Sequence, residues 1–176
     1  MSNKILVTYA SRASSTAGVA DAIGKTLAES GLEIEVRPMQ EVHDLTPYSA
    51  VVAGSAIRMD SWLPEAMQFV ERHQVELNKK PFATFLVCLA LSAKNEKRLE
   101  KAKQGAANYL QPVRELVTPI SEGRFAGALD LSKIPELRYR LLFRVGASLG
   151  IFPEGDHRDW GAIQQWASDL PERLLE

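Results

Sequence analysis

Three short apolar runs constrain this chain most: Lys4–Tyr9, Ala50–Ser55 and Phe82–Leu89. Each is too short for an ordinary helix and does not alternate, so each reads as a strand covered on both faces. Helical stretches separate them. Residues 15–30 place Val19, Ala22, Ile23 and Leu27 on one face, with Gly31 as a stop. Residues 64–77 carry Pro64 in a first turn, and 94–110 form a lysine-rich surface helix. Leu32–Arg37 alternates and reads as an edge strand, and Leu116–Ile120 reads as the last strand. An arginine-bearing apolar helix over 139–151 and a final helix over 159–174 complete the chain. Strands alternating with helices, joined by right-handed crossovers, give an α/β fold. The expectation is a three-layer doubly wound five-stranded parallel sheet, order 2-1-3-4-5, in one domain spanning 1–176.

In such sheets a ligand sits beyond the carboxyl ends of the strands, where the winding direction reverses. Here that point falls between the first and third strands, and the loops around it are 10–16, 55–63 and 89–94. The first loop reads Ser11-Arg12-Ala13-Ser14-Ser15-Thr16 and runs straight into a helix. A helix N-terminus presents unpaired N–H groups and the positive end of its dipole, which together hold anions. Four hydroxyls reinforce it. The loop has neither the G-x-x-x-x-G-K-[ST] of a triphosphate loop nor the G-x-G-x-x-G of a dinucleotide fold. It suits one terminal phosphate monoester. A planar ring attached to that phosphate would lie between 55–62 and 89–93, which offer Ser55, Met59, Ser61, Trp62 and Ser92, with Arg58 within reach of an anion.

Other chemistries for this fold class fail on the residues. A phospho-acceptor receiver needs carboxylates where this chain has Tyr9-Ala10-Ser11 and Gly54-Ser55-Ala56. A cysteine phosphatase needs an arginine six residues after its thiolate, and Cys88 is followed there by Lys94. Cys88 sits in an apolar run and reads as packing. His43, His73 and His157 have no metal-ligand spacing and read as surface or capping residues, so no metal is expected. There is no G-x-S-x-G elbow. A net charge of −1 offers nucleic acid no field. No apolar run suits a signal peptide or a membrane span, and the single cysteine agrees with a reducing compartment, so a cytoplasmic location is expected.

The loop Tyr9–Thr16 followed by Val19-Ala20-Asp21-Ala22-Ile23 resembles the phosphate loop of flavodoxins. More narrowly, the chain resembles the flavodoxin-domain branch that includes bacterial menaquinone-dependent protoporphyrinogen dehydrogenases. Val52–Arg58, Trp62–Ala66, Phe125–Asp130 and Pro153–Trp160 carry that likeness over nearly the whole length. The resemblance implies FMN, its phosphate held by Ser11, Ser14, Ser15 and Thr16 and the amides of the loop, Arg12 and Ala13 included. It implies an isoalloxazine against 54–59 (Ser55, Ala56, Ile57, Arg58) and 88–93 (Leu89, Ala90, Leu91, Ser92). The chain departs from the family pattern at Ser14, where glycine is usual. A left-handed backbone there costs a non-glycine residue roughly 1 kcal/mol. Leu89-Ala90-Leu91 also lacks the aromatic that stacks on flavin in small electron carriers.

Two classes of function remain. One is an FMN oxidoreductase or electron carrier that exchanges electrons with a redox partner protein, a quinone or a small-molecule substrate such as a protoporphyrinogen. The other is a binding or regulatory module that has lost tight FMN. The segment 137–152 bears Arg138, Arg140 and Arg144 among Leu141, Leu142, Phe143 and Val145. Its apolar spacing requires one face to be buried against something. Its arginines suit a porphyrin's propionates, a partner's acidic patch or peripheral contact with a membrane surface.

Overall fold

The computed structural model describes residues 4–134, 136–151 and 153–175. Phe152, the last residue of the arginine-bearing segment, lies outside these. In chain order the elements are β1 (Lys4–Ala10), α1 (Ser15–Glu29), β2 (Glu33–Pro38), β3 (Ala50–Arg58), β4 (Ser61–Trp62), α2 (Pro64–Arg72), α3 (Gln74–Leu77), β5 (Phe82–Cys88), α4 (Glu96–Tyr109), α5 (Gln111–Leu116), β6 (Ser121–Ala126), β7 (Ala128–Leu129), α6 (Leu137–Ser148), β8 (Gly155–Asp156), α7 (Trp160–Ser168) and α8 (Pro171–Leu175). The main sheet runs β2-β1-β3-β5-β6, all parallel, which is the doubly wound order expected for five strands. Two additions were not read from the sequence. β4 folds back antiparallel on β3, and β7 pairs with β8 in a separate ribbon.

Alternate residues of the central strands feed two cores. Leu6, Val51, Ala53, Phe82 and Leu86 face α2, α4 and α5, joined by Phe69, Val70, Leu110 and Val113. Ile5, Val7, Val52, Phe85 and Val87 face α1 and α7, joined by Val19, Ile23, Leu27 and Ile163. Burial on both faces is why these strands read as continuous apolar runs.

Four expectations need correction. The last strand is Ser121–Ala126, not Leu116–Ile120. Leu116 closes α5 and Val117 packs into the core, so that run is used before the sheet is reached. The helix expected over 64–77 breaks at His73, and the one expected over 159–174 breaks into α7 and α8 before Pro171. The apolar face of α6 is not buried against the rest of the chain: Leu137, Leu141, Leu142, Val145 and Leu149 are all exposed.

His73 is buried, packed on the Phe69 ring at 4.9 Å, with Nε2 enclosed and without a hydrogen-bond partner. Burial pushes its pKa below the ordinary histidine value, and Arg72 acts in the same direction. Glu76, the Val42 carbonyl and Asp44 oppose the shift without reversing it. The folded state therefore holds the neutral ring, while the unfolded chain takes up a proton near pH 6.5. Stability is full above that pH and falls as the pH drops below it towards the lowered folded value. Urea titrations at stepped pH should show this decline, and His73→Gln should flatten it.

Candidate functional site

The carboxyl ends of β1, β3 and β5 lie side by side, with Ala10 opposite Ser55 and Ala56 opposite Val87. The three loops expected to form a site are thereby brought to one edge of the sheet. The chain leaves β1 at Ala10, turns through 11–14 and enters α1 at Ser15. No side chain caps this helix, and its first turn contains no acidic residue. Its leading N–H groups are thus left for an external acceptor. Two hydroxyls stand beside them: Ser11 Oγ and Thr16 Oγ1 are buried and have no hydrogen-bond partner. Buried polar atoms are rarely left so without a function. A phosphate monoester fits this donor set.

Ser14 adopts φ 67°, the left-handed conformation, and its side chain makes no capping bond. Ser14→Gly should therefore raise the unfolding free energy by about 0.5–1 kcal/mol, the strain of a Cβ in that region offset partly by added freedom in the unfolded chain. Chemical denaturation checks it; a loss of stability would mean that the Ser14 hydroxyl is used. Arg12 is exposed and paired with Glu65 at 3.1 Å, tying the loop to the start of α2. Ala13 and Ser15 are partly buried.

The second loop is a tight hairpin, with Ile57 opposite Trp62 and Arg58 opposite Ser61. Its two central residues, Met59 and Asp60, have φ 50° and 60°. Such strain in non-glycine residues is found where a loop is held for a purpose. Met59 projects outward and is 91% exposed. The hairpin is tethered on both sides. The Tyr109 hydroxyl donates to Asp60 Oδ1 at 2.7 Å, and burial with this carboxylate pushes the phenol pKa up to about 12. Arg58 lies 4.6 Å from the Tyr139 ring centre and 3.8 Å from Glu136, joining the hairpin to the start of α6. Ser55 is buried and already committed: it donates to the Ala56 carbonyl and accepts from the Leu63 amide. Trp62 is also buried, with an unpartnered Nε1.

The third loop, Leu89–Ser92, is a single 3₁₀ turn of partly buried residues in which Ser92 Oγ is enclosed and unpartnered. Cys88 precedes it, buried, with burial pushing its thiol pKa up, the opposite of what a nucleophile needs. Among the described residues no group of three or more His, Cys, Asp or Glu could hold a metal ion.

One participant was not read from the sequence as part of the site. Arg158 donates to the Ser15 carbonyl at 3.2 Å and to both Asp156 oxygens, and its guanidinium lies 4.4 Å from the Trp160 ring. It hooks the segment after β8 onto the first turn of α1. Gly18 is the trace of this contact in the sequence: a Cβ there would come within 2.6 Å of Arg158 Nη1.

This chain belongs to the flavodoxin domain family, whose description matches residues 6–142. It is similar over 95% of its length to protoporphyrinogen IX dehydrogenase [quinone] of Escherichia coli strain K12, with 24% identity and 94% of that protein covered. Among solved structures it resembles a flavodoxin from the domain Archaea, at 16% identity and TM-score 0.58, covering 98% of this chain and 99% of that one. It also resembles the flavodoxin of Streptococcus pneumonia TIGR4, at 13% identity and TM-score 0.59, covering 97% and 99%. These two structural likenesses concern the fold.

Proposed function

We propose that this protein is an FMN-dependent oxidoreductase that passes electrons between a reduced organic substrate and a quinone. The observation that carries the reading is the uncapped start of α1 flanked by the buried, unpartnered hydroxyls of Ser11 and Thr16. These groups would hold the phosphate with the amides of 11–16, and Arg158 would keep the first turn of α1 in place. Ser92 Oγ and the backbone of 55–59 and 89–92 would face the ring. FMN, when bound, supplies one- and two-electron redox chemistry. The residues bind and orient it, and the tethered hairpin 57–62 gives its edge a fixed wall. The relative of E. coli supports a quinone as acceptor and a protoporphyrinogen as donor. The full chain, reconstituted with FMN and mixed anaerobically with protoporphyrinogen IX, should reduce a soluble naphthoquinone over many turnovers. Reduction and reoxidation by protein partners alone, with no turnover of the porphyrinogen–quinone pair, would favour an electron carrier. Failure to retain FMN would favour a binding module.

A further inference from the structure

We infer that the exposed face of α6 is a docking surface for anionic lipid headgroups. At about 100° per residue, Leu137, Leu141, Leu142, Val145 and Leu149 project within an arc of about 140°. Their exposures run from 52% for Val145 to 73% for Leu137, and Ile151 continues the apolar surface at 36%. The opposite side of the helix meets the protein: Gly146 is buried, and Arg140 donates twice to the Ile134 carbonyl. An unpartnered apolar stripe of this length on an otherwise ordinary surface marks an interaction site.

The charge says what covers it. Residues 137–151 carry three arginines and no carboxylate. Arg138 falls inside the apolar arc and Arg144 beside it, so each can lay its methylenes along the stripe and raise its guanidinium to a headgroup. Arg98 of α4 reaches the Gly150 carbonyl at 3.5 Å, which joins the lysine-rich segment 94–103 to the same region. These two segments together carry +6 in a chain of net charge −1, leaving −7 on the rest. An apolar stripe set in a basic surface on an otherwise acidic molecule is the pattern of a helix lying in a membrane interface. Among the described residues no helix is long and apolar enough to cross a membrane, so the contact is peripheral. The docked face adjoins the candidate site, because Arg58 of the hairpin contacts Tyr139 and Glu136. The inference stands on the stripe and its charge, independently of the electron acceptor.

Co-sedimentation of the full chain with sucrose-loaded vesicles tests it without any turnover. Vesicles of equal phosphatidylcholine and phosphatidylglycerol should bind the protein, less strongly as salt rises, and phosphatidylcholine alone should bind it at least about tenfold more weakly. Arg138→Gln with Arg144→Gln should lower binding to the anionic vesicles by about tenfold or more. Leu141→Gln with Val145→Gln should bring it to background. Thermal unfolding should stay unchanged in both, since all four side chains are exposed. In Leu141→Trp, the added indole emission should shift to the blue on anionic vesicles only. No binding to the anionic vesicles, or undiminished binding by the Leu141→Gln, Val145→Gln variant, overturns the proposal. So does a dimer at sedimentation equilibrium that this variant dissociates, which would give the stripe to a second copy of the chain.

Discussion

Replacing Phe85 with alanine should lower the unfolding free energy by about 3–5 kcal/mol, the usual cost of deleting a fully buried ring. Phe85 is fully buried at the middle of β5, with ring centres 6.4 Å from Phe125 and 6.2 Å from Trp166. Trp166 is itself fixed by its indole N–H, which donates to Ser121 Oγ at 3.0 Å. Gly54 on β3 lies opposite Phe85 in the register, and a Cβ there would overlap three carbons of the Phe85 ring. The ring thus lies on bare backbone, and neighbours held in place by the sheet cannot collapse into the space it leaves. Gly54→Ala alone should cost about 1–3 kcal/mol by overpacking. In the Phe85→Ala background the same change should cost little, because the clash has gone. Urea unfolding of the four proteins measures the cycle; strictly additive costs would show that Gly54 and Phe85 do not constrain each other.

Thr16→Val should move stability and cofactor affinity in opposite directions. Thr16 is fully buried, and its hydroxyl has no partner. Valine keeps the shape and removes an unsatisfied polar atom, so the protein without cofactor should gain about 1 kcal/mol. The same change removes a hydrogen bond to a charged acceptor, worth about 1.5–3 kcal/mol, so FMN should bind about 10- to 100-fold more weakly. A purely structural Thr16 would give no loss of FMN affinity. Denaturation of the cofactor-free protein and fluorescence titration with FMN read the two effects separately.

The parts of the fold legible in the sequence are those fixed by local pattern. Val51-Val52-Ala53 and Phe85-Leu86-Val87 are apolar on both sides because both faces of the sheet are covered, and their order with the helices determines the winding. The hydroxyl loop at 11–16 is contiguous, so its chemistry could be read directly. What was missed depends on distant partners. In β6, Glu122 and Arg124 look unlike a strand. There Arg114 of α5 holds Glu122 in two hydrogen bonds of 2.6 and 2.7 Å, and Arg124 adds a third at 2.9 Å. Arg114 is also the main reason the Glu122 carboxyl lies below its ordinary pKa. Arg158 meets the start of α1 from 143 residues away, and only Gly18 hints at it. The spacing of Leu141, Val145 and Leu149 shows that a face needs covering, but periodicity cannot say whether the same chain covers it.

The central claim is that loop 11–16 holds the phosphate of a flavin. Parallel fluorescence titrations with FMN and riboflavin test it most directly, since the two differ only in that phosphate. If the uncapped turn of α1 and the hydroxyls of Ser11 and Thr16 receive the phosphate, riboflavin should bind at least about 100-fold more weakly, the loss of two or more charge-assisted hydrogen bonds. Equal affinity for the two flavins would contradict the account.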